Sequence, residues 1–259
     1  MNDDKIWSLF EERKSILQKS SLYKQILQSL DPLNDIITRI RCLGLGSIIN
    51  SSMPMFQMAL LSLLVDHLMK IYNDKKNTNN NIIIEVSVWD PIFDETEILF
   101  LKHKLHYKVI ENDVNDKQQQ KNTLFYLPHF PISSLEKFIS ITQPQYLLSN
   151  DLTVYNNKFT DSKFFSLYPN SARLANLISQ VTLNLNKTSD INSVDEFQIV
   201  SKKNRKKKNP IKYIPSIIDY DFDSAFFKSV KSTKISNGND LSNDWDSAFT
   251  DLAFYSILK

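Results

Sequence analysis

Only three glycines occur in 259 residues, and two of them stand together in Cys42-Leu43-Gly44-Leu45-Gly46-Ser47. Glycine is the residue that lets a backbone turn sharply or approach a ligand closely. An apolar run, Ile36 to Leu43, precedes the pair, and a long apolar helical pattern follows it. This is the order of strand, glycine turn and helix, by which α/β proteins present backbone N–H groups to anions. The pair therefore marks both a fold class and a candidate site.

The rest of the chain repeats that alternation. Residues 3–29 carry apolar positions at three- and four-residue steps and read as one helix ended by Asp31-Pro32. A first strand over 36–43 is followed by a helix from about Met53 to Tyr72, apolar on most faces and so expected to be buried. Ile82 to Trp89 is the second strand, rich in β-branched residues and stopped by Asp90-Pro91. Further strands are expected at 107–110, 123–127 and 146–148, with helices over 94–105 and 132–141 between them. Beyond residue 160 the expectations are a helix over 171–178 and a strand at 181–185. A polar insertion over 187–210 and late strands at 211–218 and 248–257 complete the reading.

Strands alternating with helices predict an α/β fold. We expect a Rossmann-like three-layer sandwich with a mostly parallel sheet, an N-terminal helical segment (1–32), a core (36–155) and irregular C-terminal strands in one domain. Right-handed crossovers place every post-strand loop of such a sheet at one edge, where ligands bind. The turns at Gly44 to Ser47, Asp90, His129 and Ser149 to Asp151 are then expected to share a rim.

Composition excludes little else. A hydrophobic share of 42% and a net charge of +2 are ordinary for a globular chain and do not argue for nucleic acid or a membrane. One cysteine, Cys42, allows no intramolecular disulfide and fits a reducing compartment. The acidic start, Met1-Asn2-Asp3-Asp4, is unlike a signal peptide, and no run of about 18 apolar residues is evident. A cytoplasmic and nuclear location without membrane contact is the expectation.

Candidate chemistry concentrates on the rim. Gly44-x-Gly46-x-x-Ile49 satisfies two of the three positions of a dinucleotide fingerprint. Asp90 holds the place of a ribose-binding carboxylate, although it lies 46 residues after Gly44 rather than ~20. S-adenosylmethionine or a nucleotide is one candidate ligand, with Gly44, Gly46, Ser47, Asp90, His129 and Asn150 as its contacts. The alternative is that the glycines only turn a strand into a helix. His129 is the candidate catalytic base, haem ligand or partner of Asp90. His67, His103 and His106 read as surface histidines, and Cys42 as a buried, inert thiol. Lys202 to Lys208 places six basic residues in seven, a solvated run suited to nuclear import, acidic protein tails or nucleic acid.

Taken in order, these motifs resemble the SRR-like family, named from "sensitivity to red light reduced". The matching stretches are Cys42 to Ser47, Gln57-Met58-Ala59-Leu60-Leu61, Trp89-Asp90-Pro91-Ile92-Phe93, Leu124 to His129, and Ser149-Asn150. Ala248-Phe249-Thr250-Asp251 is similar to the family's closing pattern, with Thr250 in place of asparagine. The Asn/Lys/Ile-rich loops are similar to those of fungal members. The resemblance implies a regulatory, non-catalytic protein acting through protein partners, with links to circadian rhythm, haem regulation and, in fungi, microtubule-based processes. A nucleotide- or S-adenosylmethionine-dependent transferase is the alternative that the rim residues themselves suggest.

Overall fold

The computed structural model describes residues 3–75, 83–111, 121–189, 218–236, 245 and 247–259. The basic run Lys202 to Lys208, nearly all of the polar insertion, and the strand expected at 211–218 apart from Ile218 lie outside the described residues.

The chain opens with two helices, α1 (Asp3–Gln18) and α2 (Ser21–Leu30), where sequence periodicity suggested one. Ser20 divides them. Its Oγ donates to the Leu17 carbonyl at 2.6 Å and accepts from the Tyr23 amide at 3.1 Å, capping α2. The strands follow as β1 (Arg39–Leu43), β2 (Glu85–Trp89), β3 (Lys108–Val109), β4 (Thr123–Leu127) and β5 (Tyr146–Asn150). Between them lie α3 (Ser52–Lys75), α4 (Glu95–His103) and α5 (Ile132–Thr142). After β5 come α6 (Asp161–Leu167), α7 (Pro169–Ser189), β6 (Ser229–Lys234) and β7 (Leu252–Leu258).

These strands form one seven-stranded sheet in the order β3-β2-β1-β4-β5-β7-β6. The first five are parallel, and β7 runs antiparallel to both β5 and β6. The fold class read from the sequence is thus the observed one. Two clusters of apolar side chains cover the two faces. Ile40, Cys42, Leu124, Tyr126 and Leu148 face α1, α2 and α3. Phe125, Leu127, Leu147, Tyr255 and Ile257 face α5, α6 and α7.

Two expectations need correction. Residues 181–185, read as a strand from their alternation, continue α7 to Ser189. Glu136 accounts for where that helix starts. Its carboxylate accepts from the amides and side chains of Asn170 and Ser171, at 2.7–2.9 Å, and so satisfies the otherwise orphaned N-terminal donors. Once nucleated, a helix adds residues at little cost, and five alternating residues do not stop it. The second correction is β6, which the sequence reading missed because Ser229-Val-Lys-Ser-Thr-Lys234 is polar and half exposed, as edge strands are.

Helix α3 contains an 18-residue window apolar enough to cross a membrane by composition, which inspection for unbroken runs overlooked. Within the fold, 72% of that window is buried, against α1 and the sheet. On α3, His67 is half-buried rather than a surface residue, and burial lowers its pKa, opposed by Asp31 and helped by Lys70. The unfolded chain then binds a proton that the folded chain resists. Stability is present above the ordinary imidazole value of 6.5 and falls as pH drops through it. We expect the unfolding midpoint to fall between about pH 7.5 and about pH 5 by less in His67→Gln than in the native chain. Equal slopes in both would show that His67 is not the group responsible.

Candidate functional site at the strand ends

Because β1, β2, β4 and β5 are parallel, their carboxyl ends lie along one edge. The antiparallel β7 adds its N-terminal end to the same edge, with Leu252 opposite Asn150. The strand order reverses direction between β1 and β4, so the turns after those two strands flank the crevice where such sheets bind ligands.

The glycine turn leaves β1 with Gly44 at φ +69° and Gly46 at φ +84°, both in the left-handed region. The Gly44 amide donates to the Trp89 carbonyl at 3.2 Å and extends the β1–β2 ladder by one bond. The Gly46 amide donates to Asp90 Oδ2 at 2.8 Å, and Asp90 Oδ1 accepts from the Ile92 amide at 3.0 Å. The buried Asp90 carboxylate (8% exposed) thus fills the anion place of the turn from within the chain. A second carboxylate, Glu97, is fully buried beside it. Glu97 Oε1 accepts from Ser47 Oγ at 2.7 Å and the Ile49 amide at 3.2 Å, while Oε2 accepts from the Asp94 amide at 2.9 Å. Asp94 returns the bond, its Oδ1 accepting from the Glu97 amide at 2.8 Å, and the pair caps α4. The Asp94-x-x-Glu97 spacing is the sequence signal that would have pointed to Glu97.

Phe130 lies over Gly44, whereas Gly46 is flanked by Pro54 and Ile92. A Cβ built on Gly44 would lie 2.5 Å from two atoms of the Phe130 ring, so only glycine fits there. The Phe130 carbonyl accepts from Asn150 Nδ2 at 2.8 Å. A dinucleotide needs a glycine-turn amide free and a backbone open to close approach. Here Asp90 takes the Gly46 amide and Phe130 covers Gly44, so these residues do not fit that group.

His129 is also left-handed, at φ +52°. Its Nε2 lies 2.7 Å from the Ser247 carbonyl, and the bond to Asp90, one of the three roles offered for His129, is not formed. Asp90 serves the Gly46 and Ile92 amides, while the His129 ring is engaged at the Ser247 carbonyl. His103 and His106 are exposed, as read from sequence. Cys42 is buried on β1 and burial pushes its thiol pKa far up, in keeping with an inert side chain. Among the described residues no group of three or more His, Cys, Asp or Glu side chains is placed to hold a metal.

The six predicted residues thus fall into two groups. Gly44, Gly46, Ser47 and Asp90 form a self-satisfied turn with Glu97. His129 and Asn150 line a separate hollow of about 150 Å³ with Asp151, Tyr155, Lys158 and Asp251. In that hollow Asp151 Oδ1 accepts from the Thr153 amide and hydroxyl, and Oδ2 pairs with Lys234 at 3.0 Å. The Tyr155 phenol is pushed up in pKa by burial, a hydrogen bond from Asn150 acting the other way. Lys158 lies over the Tyr155 ring, 5.1 Å from its centre. Asp251, at φ +58°, contributes its carbonyl to the Asp151 amide at 2.5 Å.

The motif residues, far apart in sequence, also meet across the fold. Gln57 Nε2 donates to the Ala248 carbonyl at 2.9 Å, and Tyr126 Oη donates to the Gln57 carbonyl at 3.2 Å. The SRR1 domain model matches residues 23–256, nearly the whole chain. The chain belongs to the SRR1 domain family. No curated protein and no solved structure matches it. The match begins at Tyr23 within α2 and ends at Ser256 within β7, so the SRR1 domain takes in β1 to β6 and most of β7.

Proposed function

We propose that this SRR1-domain protein is regulatory and acts by binding rather than by making or breaking bonds. Its ligand is a small zwitterion held in the hollow that His129 helps to line. The observation that carries this reading is the lining of that hollow. Lys158 supplies a cation, Asp251 an exposed carboxylate, and Asn150, Tyr155 and Thr250 neutral polar groups. At about 150 Å³ it is well below the roughly 300–1,000 Å³ of sites for drug-sized ligands. An amino-acid-sized molecule with opposite charges at its two ends suits both the size and the charges.

The engagement of the Gly46 amide by Asp90 supports the same reading against a dinucleotide-dependent transferase. Protein partners complete the proposal, with the basic run Lys202 to Lys208 as the electrostatic contact for acidic tails.

Thermal unfolding with the free amino acids, S-adenosylmethionine, NAD, ATP and haemin as additives tests it. A ligand at a hundred times its Kd stabilises by about 2.7 kcal/mol. We expect that stabilisation from one or more amino acids, lost in Lys158→Met and in Asp251→Asn. Saturable stabilisation by S-adenosylmethionine or a nucleotide, kept in those variants, would overturn the reading in favour of a transferase.

A further inference from the structure

A larger opening lies on the other side of the sheet, away from the strand-end rim. The helices α1, α2 and α3 cover β1, β4 and β5 on that face. The antiparallel pair β7 and β6 carries the sheet beyond β5. Between α2 and these two strands runs a groove of about 410 Å³. This lies within the roughly 300–1,000 Å³ of small-molecule sites.

Its construction is specific. Leu33 and Phe254, both buried, and Pro32 give it an apolar floor and flank. The register pairs Lys231 with Ser256 and Thr233 with Phe254, so these four residues share the groove face of the sheet. Gln25 pins α2 to the end of β6. Its Nε2 donates to the Ser236 carbonyl and its Oε1 accepts from the Ser236 amide, both at 3.1 Å. The two walls are therefore tied together at one end.

Of the groove's polar residues, Gln25 and Ser29 are engaged, Ser29 Oγ donating to the Gln25 carbonyl at 2.9 Å. Among the described residues, the side chains of Gln28, Lys231, Thr233 and Ser256 make no hydrogen bond or ion pair. Among the described residues Lys231 is the one charged residue of the lining, and no carboxylate accompanies it there. The other described β6 lysine, Lys234, is by contrast paired with Asp151. An apolar floor with one unpaired ammonium at its lip is complementary to one kind of small molecule.

We infer that this groove binds an amphipathic monoanion: an apolar ring or short chain carrying a single carboxylate, its apolar part on Leu33 and Phe254 and its carboxylate on Lys231. Thr233 and Ser256 donate to the same carboxylate from the sheet. The site is separate from the strand-end hollow and shares no lining residue with it.

Naphthalene-2-carboxylate and its neutral analogue naphthalene-2-carboxamide, titrated into the full-length chain by calorimetry, test the inference. The carboxylate is expected to bind about tenfold more tightly than the amide, the scale of a charge-assisted contact. Lys231→Met keeps the aliphatic stem on an exposed strand. It is expected to remove that preference while leaving amide binding and the thermal midpoint unchanged. Thr233→Trp fills the groove and is expected to abolish both; Gln28→Trp does so from the opposite wall if the first variant fails to fold. Asp251→Asn, in the other hollow, leaves both affinities unchanged. Equal affinity for acid and amide, unaltered binding in Lys231→Met, or no binding of either compound at millimolar concentration would overturn it.

Discussion

Replacing Gly44 with alanine is expected to destabilise the fold by about 3 kcal/mol. Two costs add. A non-glycine residue at φ +69° is strained by roughly 1–2 kcal/mol. The new methyl also lies 2.5 Å from the Phe130 ring, and overpacking of that kind costs roughly 1–3 kcal/mol. Asn150 holds the Phe130 backbone at its carbonyl, so relief has to come from a change in the ring's rotamer. A double-mutant cycle separates the two terms. In a Phe130→Ala background, Gly44→Ala is expected to cost only the backbone strain, about 1 kcal/mol. Denaturant midpoints at constant m-value measure this. An equal cost in both backgrounds would mean that Phe130 does not lie over the glycine.

Loss of the Glu97 carboxylate is expected to be as damaging. Glu97→Ala strips partners from the Ser47 hydroxyl and the Ile49 and Asp94 amides at once. Buried donors left unpaired cost roughly 1–3 kcal/mol each, without simple additivity, and we expect about 3 kcal/mol in total. Ser47→Ala removes only one of these bonds and is expected to cost about 1 kcal/mol. Unfolding by chemical denaturation of the two variants checks the order. If Ser47→Ala were the worse, the carboxylate would not be the hub of the turn. Because the same carboxylate organises both the glycine turn and the start of α4, its loss is also expected to loosen Asp90, which the turn orients.

Both predictions concern a rim that holds itself together. The post-strand turns satisfy one another: Asp90 serves Gly46, Glu97 serves Ser47, Asn150 serves Phe130, and His129 meets the Ser247 carbonyl. The strain in the rim is concentrated at His129 and Asp251, non-glycine residues in the left-handed region that border the same hollow. Such outliers persist where surrounding structure imposes them, and they gather at binding sites. This is a further reason to look for the ligand there rather than at the glycines.

The amino-acid sequence by itself determined the α/β alternation, the five parallel strands and the position of the rim. Those features rest on local chemistry: β-branched runs, helical spacing, and Asp-Pro, Pro-His and Gly-x-Gly stops, all legible within a few residues. The break at Ser20, the continuation of α7 and the polar edge strand β6 were not so legible, because caps and pairing partners override short patterns there. Only the tertiary structure decided what each rim residue does. The Gly46 amide could have faced a phosphate, but the fold brings in the carboxylate of Asp90, 44 residues later in sequence. His129 meets Ser247, 118 residues away, instead of Asp90. Contacts across such separations are set by strand order and register, and no local pattern of spacing or propensity encodes which donor will reach which acceptor.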